Sequence, residues 1–287
     1  MIWQTTRFQI DLTAPKVMGI VNVTPDSFSD GGQFFTATEN VSKAIAHCEQ
    51  LIKDGAHILD IGGESSRPGA QPVSLEEELG RVIPVVRHAL TLGVPVSVDT
   101  YKPQVMQAAL DLGADIINDI WALRQPGTQT VIAQHANCGV CLMHMHREPQ
   151  TMQTDPMQGD AVVEVLHFLE QRSHDLQALG IHMNRMVLDP GIGFGKTPQQ
   201  NFALLARQRE LLTAGYPLMV GWSRKSSLAP FSSPSLGDAS SSEQPSRMMP
   251  SVVTAVVAVE RGARIVRVHD VLETALAIAL WTKSRSP

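Results

Sequence analysis

The chain has 287 residues, room for two ordinary domains or for one α/β barrel, which typically takes about 250 residues. Its make-up, 43% apolar and 18% charged, is that of a globular protein, and a formal charge of −5 leaves no basic footprint for nucleic acid. No apolar run reaches membrane-spanning length, the N-terminus lacks a basic-then-apolar signal, and three cysteines speak against a disulfide framework, so a cytoplasmic protein without nucleic-acid or membrane partners is expected.

Residues 1–16, with RFQIDL inside them, read as an extended or hairpin segment covering a barrel floor. A glycine then recurs. Gly55, Gly93, Gly113, Gly139, Gly180, Gly215 and Gly262 each follow a helix-like stretch and precede a short apolar one. Glycine just beyond a helix supplies the left-handed turn that stops it, so seven such returns imply eight strands. The spacing predicts them over 17–22, 57–62, 95–99, 115–118, 140–144, 186–189, 217–221 and 264–269. All are short and nearly continuously apolar, as strands covered on both faces should be.

Between them, Val41, Ile45, Cys48 and Ile52 keep an apolar stripe at helical spacing, as do Leu75, Leu79, Val82 and Val86. Val105, Ala109 and Leu112, and later Val162, Val165 and Leu169, repeat the pattern. Thr36 with Glu39, Ser74 with Glu77, Thr197 with Pro198 and Gln200, and Asp270 with Glu273 read as helix starts. Eight β-then-α units point to a closed (β/α)8 TIM barrel, one domain over 1–287. An open doubly wound sheet is the alternative, but it does not require so even an alternation. Ala229 to Pro245 is the one low-complexity stretch, a Ser/Pro-rich loop after strand seven, expected to be mobile.

The segment Met186 to Lys196, MVLDPGIGFGK, is the most informative. A buried strand turns polar at Asp189 and breaks at once on Pro190 and Gly191. A carboxylate there is satisfied either by its own turn or by a ligand, and barrels place ligands at this end of their strands. Cys138 and Cys141, with His144 and His146 behind them, have the outline of a zinc or redox motif. The alternative is a buried strand over 139–144 whose successive residues face opposite ways, and no second cysteine pair completes a zinc site.

The other strand ends carry Asn22, then Glu64 to Arg67, Asp99, Asn118, His144, Ser223 to Ser226, Arg267 and His269. In a barrel these converge on one mouth, with Asn118 and His144 the members best suited to a structural role. Asp99, Asn118 and Asp189 supply acceptors and an amide for a flat heterocycle with adjacent N–H donors. Arg267, His269 and Asn22 suit anionic oxygens and a hard cation, magnesium being the ion that completes its shell with water and substrate phosphates. Two glycine-rich loops, 24–32 and 62–70, are long enough to cover a reacting centre or to be plain surface.

The runs MGIVNVTPDSFSDGG, LDIGGESSRPGA, VSVDTYKP, IINDI, LMHMH, VLDPGIGFGK, VGWSRKS and RIVRVHD, in this order, resemble dihydropteroate synthase. That resemblance implies a homodimeric (β/α)8 barrel joining 6-hydroxymethyl-7,8-dihydropterin pyrophosphate to p-aminobenzoate with release of pyrophosphate. It implies the pterin among Asp99, Asn118, Asp189 and Lys225, and pyrophosphate with Mg2+ at Asn22, Arg267 and His269. Ser66, Arg67, Pro68, Phe194, Lys225 and Ser226 would line the arylamine pocket, and Phe28, Asp30 and Arg67 would close over the reacting centre. Ser66 stands where the family more often has Thr, Pro250 where Gly is commoner, and Trp222 beside the SRK run is a further departure. A pterin-dependent methyltransferase, a Lys225 Schiff-base aldolase and a non-catalytic pterin-binding protein are the rival readings.

Overall fold

The computed structural model describes residues 1–24, 37–65, 69–148, 151–152, 154–232 and 246–285. Two short strands, β1 (Ile2–Gln4) and β2 (Gln9–Asp11), form an antiparallel hairpin. Then come β3 (Lys16–Asn22), α1 (Ala37–Lys53), β4 (Ile58–Gly62), α2 (Leu75–Ala89), β5 (Val96–Asp99), α3 (Pro103–Asp111), β6 (Ile116–Asp119) and α4 (Thr128–Gln134). The second half continues with β7 (Gly139–Met143), α5 (Ala161–Ala178), β8 (Met186–Asp189), α6 (Pro198–Ala206), α7 (Gln208–Leu211), β9 (Met219–Val220), α8 (Met248–Glu260), β10 (Ile265–Val268) and α9 (Val271–Ser284). The parallel strands run β8-β7-β6-β5-β4-β3-β10-β9, and a parallel bridge from Leu188 to Leu218 joins the two ends. An α/β barrel of eight strands results, as the alternation predicts. The seventh strand keeps only two of the five residues expected, and the bridge just before it completes the ring.

The strand period of two sorts the interior into layers. Met18, Ile58, Ile116, Cys141, Val187, Met219 and Ile265 point inward at the base and pack with Trp3, Ile10 and Leu12 of the hairpin. The expected floor segment is therefore this plug. Trp3 Nε1 donates to the Arg185 carbonyl at 2.9 Å, and Arg7 pairs with the fully buried Asp115 at 2.6 Å. The intervening residues, such as Val17, Leu59, Val98, Ile117, Val140, Leu188 and Val266, face the helices. Above the floor several inward positions turn polar, among them Asp99, Asn118, Asp189 and Arg267, beside the apolar Ile20 and Met143.

Several local expectations change. Gly139 is not a helix-stop glycine but the first residue of β7, where a Cβ would lie 3.0 Å from Trp3 Nε1 and 3.1 Å from the Gln4 carbonyl oxygen. Its smallness lets the hairpin close the floor. Gly139→Ala should therefore destabilise by about 1–3 kcal/mol, measured by urea unfolding. An unchanged midpoint would show that the hairpin can step aside. Thr197 and Gln200 form the reciprocal capping box, and Ser74 accepts from the Glu77 N–H, but Asp270 gives no cap and pairs with Arg224 at 2.6 Å instead. The cap at Thr36 lies outside the described residues, as does most of the Ser/Pro-rich loop.

Cys138 and Cys141 fall on opposite sides of β7. Cys138 lies beside the Arg185 guanidinium, while Cys141 is in the floor layer. Trp222 points outward, its ring 5.4 Å from that of Phe202 in α6, and its buried Nε1 has no partner among the described residues.

Candidate active site

Above the floor, inward positions of several strands meet in one ionic cluster. Arg267 of β10 donates through Nε to Asp60 of β4 and through Nη2 to Asp99 of β5, both at 2.6 Å. Asn118 of β6 donates to the same Asp60 oxygen at 3.1 Å. Burial pushes the Asp99 carboxyl up to about 7 against the pull of Arg267, with the charge of Asp60 adding to the rise. Burial also works against the guanidinium, but the two carboxylates outweigh it and raise its pKa. Arg267 is thus committed to protein carboxylates on two of its donors, which narrows what it can offer an anion.

Asp189 closes β8 one strand pair away, its main-chain carbonyl held by the His144 N–H at 2.9 Å. Its Oδ1 accepts from the Gly191 N–H at 2.7 Å, so its own turn satisfies one oxygen of this carboxylate. Burial raises its pKa, and Gly191, Lys225, Arg267 and Lys196 offset part of the rise. Lys225 Nζ stands 4.2 Å above the centre of the Phe194 ring, within cation–π range. Ser226 opens the short helical turn that follows. Ser223 Oγ accepts from the His269 main-chain N–H at 3.1 Å and lies 3.0 Å from Nδ1 of the same residue. The hydroxyl can therefore donate to Nδ1, which leaves the ring proton on Nε2.

These groups share one cavity of about 580 Å3. It is lined by Asn22, Asp99, Asn118, Asp189, Phe194, Lys225, Ser226, Arg267 and His269, every site residue expected from the sequence that falls within the described residues. Phe28, Asp30, Ser66, Arg67 and Pro68 lie outside them. His144 is drawn to the buried Lys196, 2.9 Å from Nδ1, in keeping with a structural role.

Sequence reasoning passed over Asp60 and Arg247, and it set Glu64 and Arg224 among the strand-end residues without giving either a role. Asp60 stands in mid-strand with no turn to mark it. Arg224 and Arg247 add positive charge to the rim, where Arg247 Nη1 donates to the Arg224 carbonyl at 3.2 Å. Glu64 is held by Lys102, which also pairs with Glu78, and accepts from the Tyr101 hydroxyl at 2.7 Å. This second cluster borders a smaller cavity of about 250 Å3 next to the main one.

An acceptor-rich wall opposite a cationic rim, in a cup of this size, fits a flat nitrogen heterocycle carrying an anionic group. The family model for pterin binding enzymes matches residues 18–269. This chain belongs to the dihydropteroate synthase family. The dihydropteroate synthase of Neisseria meningitidis serogroup B is 49% identical over 284 residues, spanning 98% of this chain and 96% of its own. The Xanthomonas albilineans dihydropteroate synthase solved with 4-aminobenzoic acid superposes with a TM-score of 0.86 at 44% identity, covering 97% of this chain and 96% of its own. The Burkholderia cenocepacia enzyme complexed with 7,8-dihydropteroate gives 0.84 at 42% identity, covering 99% and 96%. Dihydropteroate synthases are transferases, and the polar inner layer of the barrel is where this member gathers its charged groups. Among the described residues, no helix is long and apolar enough to cross a membrane.

Proposed function

We propose that the chain condenses 6-hydroxymethyl-7,8-dihydropterin pyrophosphate with p-aminobenzoate to give 7,8-dihydropteroate and pyrophosphate. The observation that carries this reading is the meeting of Asp99, Asn118 and Asp189 with Lys225 and His269 around one cavity. Asp189 accepts from the 2-amino and N3–H edge of the pterin, Asp99 and Asn118 bound its far side, and Lys225 donates to the ring oxygen or N5. Arg267 and His269 face the pyrophosphate. Phe194, Lys225 and Ser226 line the arylamine side, joined through the resemblance by Ser66, Arg67 and Pro68. Phe28 and Asp30, with Arg67, belong to the reacting centre on the same ground.

Substitution is dissociative in this reading. The cationic rim stabilises the departing pyrophosphate, the pterin methylene carbon becomes a resonance-stabilised cation, and the arylamine nitrogen adds to it and loses a proton. No side-chain nucleophile is required. Magnesium fits the donor set. Asn22 offers a neutral amide oxygen at the cavity wall, and no group of three His, Cys, Asp or Glu residues able to hold an ion occurs among the described residues. Such a site suits an ion that takes most of its shell from phosphate and water. Asn22 would hold it, and the ion would neutralise charge on the leaving group.

The deciding assay is pyrophosphate release from the dihydropterin substrate. Release should require magnesium and p-aminobenzoate together. Pterin binding without product would favour a non-catalytic pterin-binding protein. Asn22→Ala should raise the magnesium concentration for half-maximal activity about tenfold while pterin binding stays near wild type. An unchanged magnesium dependence would remove Asn22 from that role. The finer reading also includes a homodimer in the cytoplasm. Met249 and Val253 of α8 and Leu272, Leu276 and Leu280 of α9 are exposed apolar residues on two neighbouring helices, a face suited to a second copy. Sedimentation should give twice the chain mass, and a monomer at micromolar concentration would exclude that interface.

A further inference from the structure

The loop between β8 and α6 is wrapped around a buried amine. Lys196 is 3% exposed, and its Nζ lies 2.9 Å from the Gly191 carbonyl oxygen, 3.1 Å from that of Phe194 and 3.3 Å from that of His144. His144 Nδ1, at 2.9 Å, is the fourth neighbour. Three of these partners can only accept, and imidazole Nδ1 accepts in its Nε2–H tautomer, so four acceptors share the three donors of an ammonium. Gly191 and Gly195, at φ 66° and 69°, let the loop lie flat against residues 144–146, since a Cβ at either would run into the carbonyl oxygens of His144 and His146. The same loop is tied on its other side, where Asn201 accepts from the Gly193 N–H at 2.9 Å and Met157 N–H donates to the Gly195 carbonyl at 2.9 Å.

We propose that Lys196 is a positioning residue for the arylamine pocket, its amine fixing the carbonyls of Gly191 and Phe194 and so setting the Phe194 ring beneath Lys225. The inference rests on the activity proposed above and adds a residue that never meets substrate. The Asp189 backbone is anchored separately by the strand ladder, through the His144 N–H on its carbonyl, and only its Oδ1 touches the loop, at the Gly191 N–H, so the pterin side should respond less than the arylamine pocket. Burial lowers the Lys196 pKa to about 7, and burial holds the His144 ring neutral with a pKa of about 2. An acceptor cage around the amine is what keeps a donor there at neutral pH. Without it, three buried carbonyls lose a partner and the loop must turn toward water.

The test uses Lys196→Met, which keeps length and removes the donors, and Lys196→Gln, which keeps two of them. Lys196→Met should raise KM for p-aminobenzoate about tenfold or more, with kcat and dihydropterin affinity each within about threefold of wild type. Lys196→Gln should fall between. Equal loss on both substrates, or an unchanged p-aminobenzoate KM in a folded variant, would overturn the proposal. Should neither variant fold, His144→Ala removes one neighbour alone and should shift the same constant in the same direction. Failure of all three to fold would also overturn it, by making the cage a requirement of the barrel rather than of the pocket. Equilibrium binding of p-aminobenzoate in the presence of a non-reacting pterin and pyrophosphate reads the effect without turnover, so a failed activity and a failed positioning role are told apart.

Discussion

Asp189→Asn should cut dihydropterin affinity by more than about a hundredfold, because it replaces a carboxylate facing two N–H donors by an amide that presents one acceptor and one donor. Each lost charge-assisted bond is worth about 1.5–3 kcal/mol, and the new N–H is set against a ligand N–H. The fold should survive, since Asp189 makes no ion pair among the described residues and its backbone is held by the ladder with β7. The pH dependence of the wild type carries the same signature. Burial holds the Asp189 carboxyl above its ordinary value, and only the ionised form accepts from both donors. Pterin binding should therefore weaken on acidification sooner than an ordinary aspartate would allow. Calorimetric titration between pH 5 and pH 8 checks both statements, and wild-type affinity in the variant would take Asp189 out of the binding site.

Arg267→Leu should damage fold and activity together. The guanidinium is the shared partner of Asp60 and Asp99, whose side chains are 0% and 15% exposed. Removing it strands two carboxylates 2.6 Å from where their counter-charge stood, and breaking a buried pair costs about 3–5 kcal/mol. The sign with pH follows from Asp99. Its folded pKa, already about 7 with Arg267 present, lies above the ordinary aspartate value of 3.8 and should rise further once the arginine is gone. A raised carboxyl costs nothing below its unfolded value, and its penalty grows as pH climbs through the folded one. The deficit should therefore be largest near pH 9 and shrink toward pH 5, with Asp99→Asn in the same chain recovering part of it. Guanidinium unfolding at both pH values decides, and a deficit independent of pH would mean that the cluster is not held by charge.

The comparison of these two residues shows where a linear sequence stops being informative. Asp189 was legible because it ends an apolar run and is followed by Pro190 and Gly191, a local break that needs no partner to be seen. The eight-unit alternation was legible for the same reason: helix stops and strand runs are local chemistry repeated. Asp60 was not, because its partner Arg267 lies 207 residues away, and nothing beside it in LDIGG announces a pairing. The signal available was its cost, a carboxylate in mid-strand that a two-face-buried position cannot tolerate alone. Lys196 could have been found likewise, as a lysine trailing three glycines and an aromatic. Gly139 misled because the residue that ends a helix and the residue that admits a neighbouring backbone are both glycine, and only Trp3 and Gln4, packed from the other end of the chain, tell them apart.

The plug under the barrel bears on how the molecule is made. Trp3 is made well before Arg185, whose carbonyl it bonds, and Arg7 waits for Asp115. β3 acquires β4 early but receives its other flank, β10, only when residues 265–268 emerge. Until then the hairpin lacks most of the residues it packs on, so the floor of the barrel can close only after its late strands have been made.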